Sequence, residues 1–122
     1  MLIAFWIVSG LVALAFLAAG LMKLARPKAA LAASGMAWTE DFSEPTLKAI
    51  GAAEVLGAIG IVLPALTGIA PILSPIAASA LALVMVGAIV VHVRRKENPT
   101  ANVVLLLLAA TSAVLGFAAL LG

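Results

Sequence analysis

"IGAAEVLGAIGIVLPALTGIAPILSPIAASALALVMVGAIVVHV", Ile50 to Val93, holds one carboxylate, Glu54, and one imidazole, His92, among aliphatic residues, glycine, proline and hydroxyls. A helix crossing roughly 30 Å of hydrocarbon needs about 20 residues. The stretch is too long for one such helix and about right for two. Pro64, Gly68, Pro71 and Pro75 punctuate its centre, where a hairpin is expected to turn. On either side lie the uncharged runs Leu2–Met22 and Val103–Gly122, each one span long. The chain therefore reads as four helices at about 2–24, 45–63, 74–93 and 99–121, with an interfacial loop at 25–44. Together they form a single membrane domain over residues 1–122.

Composition agrees. Of the 122 residues, 66% are hydrophobic and 10% charged, and mean hydropathy is +1.31. A soluble domain is about 45–50% apolar and about 25% charged, so this surface could not be kept in water. The fold class is an all-α integral membrane protein, a four-transmembrane-helix bundle. The first run is read as a span and not as a cleaved signal peptide. It lacks a basic leading region, exceeds the usual apolar core of about 7–15 residues, and runs directly into Lys23 and Arg26.

Basic residues set the orientation. Lys23, Arg26, Lys28 and Lys48 lie between the first and second spans, and Arg94, Arg95 and Lys96 between the third and fourth; these are all seven. The positive-inside rule makes loops 23–48 and 94–98 cytoplasmic and puts both termini outside, in a multi-pass protein of the inner (plasma) membrane. The net charge of +2 reflects that topology and points to no nucleic acid. Cysteine is absent, so the chain alone builds no thiolate nucleophile, disulfide relay, cysteine-ligated iron–sulfur cluster or thiol-anchored haem. One histidine and one intramembrane carboxylate predict no metal site.

The one extended polar segment is "KAALAASGMAWTEDFSEP", Lys28 to Pro45. Its alanine-rich start predicts a short helix lying on the membrane, anchored by Leu31, Met36 and Trp38. Glu40, Asp41 and Glu44 are expected to complement the positive start of the second span.

Glu54 poses the functional question. It lies six residues, roughly 9 Å, beyond Lys48, below the surface but short of the bilayer centre. An unpaired charge at the centre costs about 2.5–3.5 kcal/mol on insertion scales, and less at this depth. Its neighbours three and four residues away are Ile50, Gly51, Gly57 and Ala58, a mostly small stripe that lets another helix approach closely. Glu54 is predicted to face the bundle. Lys23, His92, Asn98 and Asn102 reach the same half of the bundle, whereas the other half has only hydroxyls such as Ser9, Ser79 and Ser112. The Lys23–Glu54 pair reads either as an ion pair fixing helix packing or as the polar floor of a ligand cavity, with Glu54 able to exchange a proton. No serine is marked out for a Ser–His–Glu hydrolytic triad.

"AGLMKL" (Ala19–Leu24), "GMAW" (Gly35–Trp38), "IGAAEVLGAIGIVLP" (Ile50–Pro64), "LSPIAASALALVMVGAIVVHVRRKE" (Leu73–Glu97) and Asn102 before a leucine run together resemble the DoxX-like family of small bacterial four-helix membrane proteins. The resemblance covers nearly the whole chain. It implies a polar cluster of Lys23, Trp38, Glu54, His92 and Asn102, with no catalytic assignment to carry over to them. The family is named for a subunit of a thiosulfate:quinone oxidoreductase, and other members look linked to redox-stress or sulfur-handling partners. Without cysteine, a persulfide mechanism within this chain is excluded. The resulting expectation is a redox-linked subunit binding a quinone-like or other lipophilic ligand. A quinone is the one cofactor considered, none being identifiable from the residues themselves. Two alternatives stand beside it: a small transporter or channel component with Glu54 as the coupling group, and a non-catalytic scaffold for a partner. Beyond the lipid bilayer, a redox protein or a second copy is the partner considered, since the rows Ala49–Ala53–Gly57 and Ala109–Ala113 suit close helix packing.

Overall fold

The computed structural model describes residues 1–121. The chain runs through α1 (Leu2–Ala25), α2 (Lys28–Ala33), a 3-10 helix (Ala37–Asp41), α3 (Glu44–Thr67), α4 (Leu73–Arg94) and α5 (Thr100–Leu121). Helices α1, α3, α4 and α5 are each long and apolar enough to cross a membrane. The expected four spans are present, and no strand occurs among the described residues.

Helix ends follow local chemistry. α1 stops at Ala25 because Arg26 precedes a proline and is held extended, at φ −107° and ψ 142°. Ser43 caps α3 by accepting the Thr46 N–H at 3.3 Å, with Pro45 in the first turn, where its missing donor goes unnoticed. Asn98 does the same for α5, accepting the Thr100 N–H at 3.0 Å.

The second span was expected to end at Leu63, but α3 continues through Pro64 to Thr67. Pro64 has no N–H to give to the Gly60 carbonyl, which ordinarily weakens a helix at that point. Here Ser74, from the facing start of α4, donates its hydroxyl to the Ile61 carbonyl at 2.6 Å. The bond falls on the carbonyl next to the one that the proline frees and fastens α3 to α4 at that point. The chain turns only at Gly68, whose φ of 74° is left-handed, and at Ala70, φ 47°. Likewise, the 25–44 connection is more structured than a loop, since it carries the predicted short helix α2 and then the 3-10 helix.

The four long helices form a ring in the order α1–α3–α4–α5, each packed on two neighbours. Val12 and Phe16 of α1, Ala58 and Ile61 of α3, Leu81 and Met85 of α4, and Ala109 and Ala113 of α5 fill its centre. Outside, Leu14, Leu56, Leu66, Leu83, Leu107 and Val114 are exposed. An apolar exterior around the bundle suits a hydrocarbon solvent, in which exposing leucine costs nothing. Because the helices alternate in direction, both charged connections fall at one end of the bundle.

Candidate functional site

Lys23 occupies the last turn of α1, on the buried face that also carries Phe16 and Gly20. Glu54 shares the buried face of α3 with Leu47, Gly51, Ala58 and Ile61. Their side chains meet, Lys23 Nζ to Glu54 Oε1, at 2.6 Å, with Lys23 6% and Glu54 2% exposed. Glu54 faces the bundle, as its stripe of small neighbours predicts, and Lys23 is turned inward beside it. Among the described residues no hydroxyl, amide or backbone N–H donates to buried Oε1, whose one partner is the Lys23 ammonium. Removing two charges from water costs several kcal/mol per ion, and their attraction offsets this only when further hydrogen bonds complete both partners. This pair has not been completed.

Trp38, in the 3-10 helix, lies above it. Lys23 Nζ is 5.7 Å from the centre of the indole, within cation–π range. The same ring stands edge-on to His92 at 6.4 Å and to Phe42 at 5.6 Å. His92 Nδ1 lies 3.1 Å from Glu97 Oε1. Arg95 then joins the two connections: its Nε donates to Glu97 Oε2 at 3.2 Å and its Nη1 to Asp41 Oδ2 at 2.6 Å. The hydrogen bond to Asp41, and after it that to Glu97, raises the pKa of the guanidinium above its ordinary value. A sequence of charged and aromatic groups thus leads from Asp41 at the surface to Glu54 inside the bundle.

Two further residues hold the frame. Lys48 Nζ donates to the carbonyls of Lys23, Leu24 and Arg26 at 2.7, 3.1 and 2.7 Å, placing a cation on the negative end of α1. Glu44 was expected to serve the start of α3; its carboxylate also accepts the first N–H of α2, from Lys28, at 3.0 Å.

Of the residues singled out by sequence, the structure brings Lys23, Trp38, Glu54 and His92 together. Asn102 turns its amide to Met85 Sδ at 3.7 Å, across the α4–α5 seam. Asp41, Arg95 and Glu97 were missed as members of the site. Their only sequence signal is a lone acid two residues after an arginine in the charged 94–98 connection. In the opposite half, Ser9 and Ser112 share a buried hydrogen bond at 2.7 Å.

An apolar groove of about 370 Å³ lies between Gly10–Leu17 of α1 and Ala58–Leu63 of α3. Ala58 at its edge is one turn of α3 from Glu54. Among the described residues no three His, Cys, Asp or Glu side chains are grouped to hold a metal ion.

Residues 7–119 match the family model described as the DoxX-like family. No curated protein and no solved structure matches the chain.

Proposed function

Given that the chain belongs to the DoxX-like family and is a membrane protein of four apolar helices, we propose that it binds the polar head of a lipophilic, quinone-like ligand at Lys23 and Glu54. In this reading it is the membrane-embedded subunit of a redox-linked system in the inner (plasma) membrane, with its charged end toward the cytoplasm. The observation that carries the proposal is the almost fully buried Glu54 carboxylate, whose Oε1 has the Lys23 ammonium as its one partner among the described residues. Were the pair only a packing device, apolar residues of similar volume would serve as well or better. A ligand hydroxyl donating to Oε1, or a ligand carbonyl accepting from the Lys23 ammonium, supplies the missing partners. The groove one turn deeper suits an apolar tail. Electrons would come from a partner protein, since this chain has no cysteine with which to carry them.

The test is chemical extraction of protein purified in mild detergent, followed by mass analysis of what it retains. A quinone or similar lipophile approaching one per chain is expected in the unaltered protein and is lost in Glu54→Gln. Extracts holding only phospholipid would refute the reading. The charged groups leading inward from Asp41 favour a second one, in which Glu54 exchanges protons during transport. Glu54→Gln should then abolish flux in proteoliposomes, and undiminished flux removes it.

A further inference from the structure

We propose that the 3-10 helix Ala37–Asp41 is a lid over the Lys23–Glu54 pair, held shut by a clasp between Asp41 and Arg95. The inference rests on the ligand reading above and adds to it the control of access from the aqueous side.

Position comes first. Trp38 covers the Lys23 ammonium and abuts His92, so the indole separates the buried pair from the charged end of the bundle. The lid is internally bonded: Thr39 is fully buried and donates its hydroxyl to the Met36 carbonyl at 2.7 Å. Its start is tied to α2 by the Met36 N–H, which donates to the Leu31 carbonyl at 3.1 Å, so any opening would pivot about that end of the segment. Gly35 has a φ of 104° with open space around it, and Phe42 is extended.

Fastening comes next. One ion pair ties the lid to the opposite connection, Arg95 Nη1 to Asp41 Oδ2. Lys96, at φ 58°, turns the chain sharply just after Arg95, so that Glu97 also bonds the guanidinium. The Asp41 side chain is 55% exposed and that of Arg95 23%. An ion pair in contact with water is screened by salt and held loosely. Opening it strands nothing: Asp41 is solvated at once and Arg95 keeps Glu97. The pair beneath has no such alternative. The arrangement therefore yields at the clasp while the Lys23–Glu54 pair stays together, and lid opening exposes the polar head of a bound ligand to water or to a partner's reactants.

The experiment reads the lid directly. The chain has two tryptophans, so Trp6→Phe leaves Trp38 as the sole indole. Its fluorescence quenching by iodide and by acrylamide is measured on the full chain in nanodiscs, with helix content followed alongside. Asp41→Asn and Arg95→Gln should each raise the quenching constant about twofold or more at unchanged helix content. Salt should do the same for acrylamide quenching of the Trp6→Phe parent, as expected for an exposed pair. Exchanging the charges, Asp41→Arg with Arg95→Asp, in a Glu97→Gln background that removes the carboxylate beside position 95, should restore protection. Quenching that is identical across all these variants and salt concentrations would overturn the lid. The two proposals fail separately. If Trp38 responds to the clasp but the protein retains no lipophile, the lid stands and the ligand reading falls. If a lipophile is retained and lost with Glu54→Gln, yet the clasp variants leave Trp38 unmoved, the ligand reading stands and the lid falls.

Discussion

Gly20 of α1 and Gly51 of α3 meet backbone to backbone: a Cβ on Gly20 would lie 2.7 Å from the Gly51 oxygen, and one on Gly51 2.9 Å from the Gly20 oxygen. That crossing builds the site. Lys23 and Glu54 each lie three residues past their glycine, about 4.5 Å along helices that run in opposite directions. Side chains lean toward the N-terminus of their own helix, so these two lean toward each other across the contact. Gly20→Ala and Gly51→Ala should each destabilise the bundle by about 1–3 kcal/mol, the usual cost of overpacking. The gain of about 1 kcal/mol in helix propensity is outweighed, because at each glycine one of the obstructing atoms is a backbone oxygen that cannot rotate away. Gly10→Ala and Gly87→Ala, where a Cβ meets nothing within 4 Å, are the controls. Thermal unfolding in detergent distinguishes them; equal effects at all four positions would refute the tight crossing.

Removing one partner of the buried pair should cost far more than removing both. Lys23→Met or Glu54→Leu alone leaves an uncompensated charge, with an expected loss of about 3–5 kcal/mol. The double variant should recover most of it. On the ligand reading, that stable double variant no longer retains a lipophile. Denaturant unfolding of the four proteins gives the coupling energy, and additive losses would mean the contact carries none.

The spans were legible because hydrocarbon thickness dictates their length, and because charge is costly in lipid, so every charged residue but Glu54 lies near or beyond an end of a span. Glu54 and Lys23 were legible for the same reason, joined by the small residues around them. The end of α3 was misread at Pro64, since the rule that proline stops a helix takes no account of a hydroxyl 13 residues away, that of Ser74. The clasp left no periodic trace. Asp41 and Arg95 are 54 residues apart in two connections, and nothing local to either selects the other. Asp41 in particular sits among acids that helix capping already explains.

Ser74 offers a test of that misreading. Ser74→Ala removes the hydrogen bond to the Ile61 carbonyl and should cost about 1 kcal/mol. Pro64→Ala restores the donor that the Gly60 carbonyl lacks, giving the helix backbone its own support. In that background the Ser74→Ala penalty should shrink. A double-mutant cycle by thermal unfolding reads the difference, and a penalty unchanged by Pro64→Ala would mean that Ser74 does not compensate for the proline.

Lys48 should influence the site without touching either member of the ion pair's charged contact. Its ammonium gathers the carbonyls of Lys23, Leu24 and Arg26, the last of α1's acceptors and the ones with no helical donor. Lys48→Met leaves them to water at the membrane surface and should cost about 1.5 kcal/mol, at the low end for charged hydrogen bonds because two of the three are exposed. Amides in the last turn of α1 should then exchange with solvent about tenfold faster, since each 1.4 kcal/mol of local stability is a factor of ten. Lys48→Arg restores the charge but not the geometry, because a planar fork cannot converge on three carbonyls as a compact ammonium does. Partial rescue is expected. Lys23 lies in the turn that frays, so its contact with Glu54 should weaken and ligand retention should fall in parallel with the exchange rates. Unchanged exchange across Met22–Arg26 in Lys48→Met would separate the cap from the site and sink the connection.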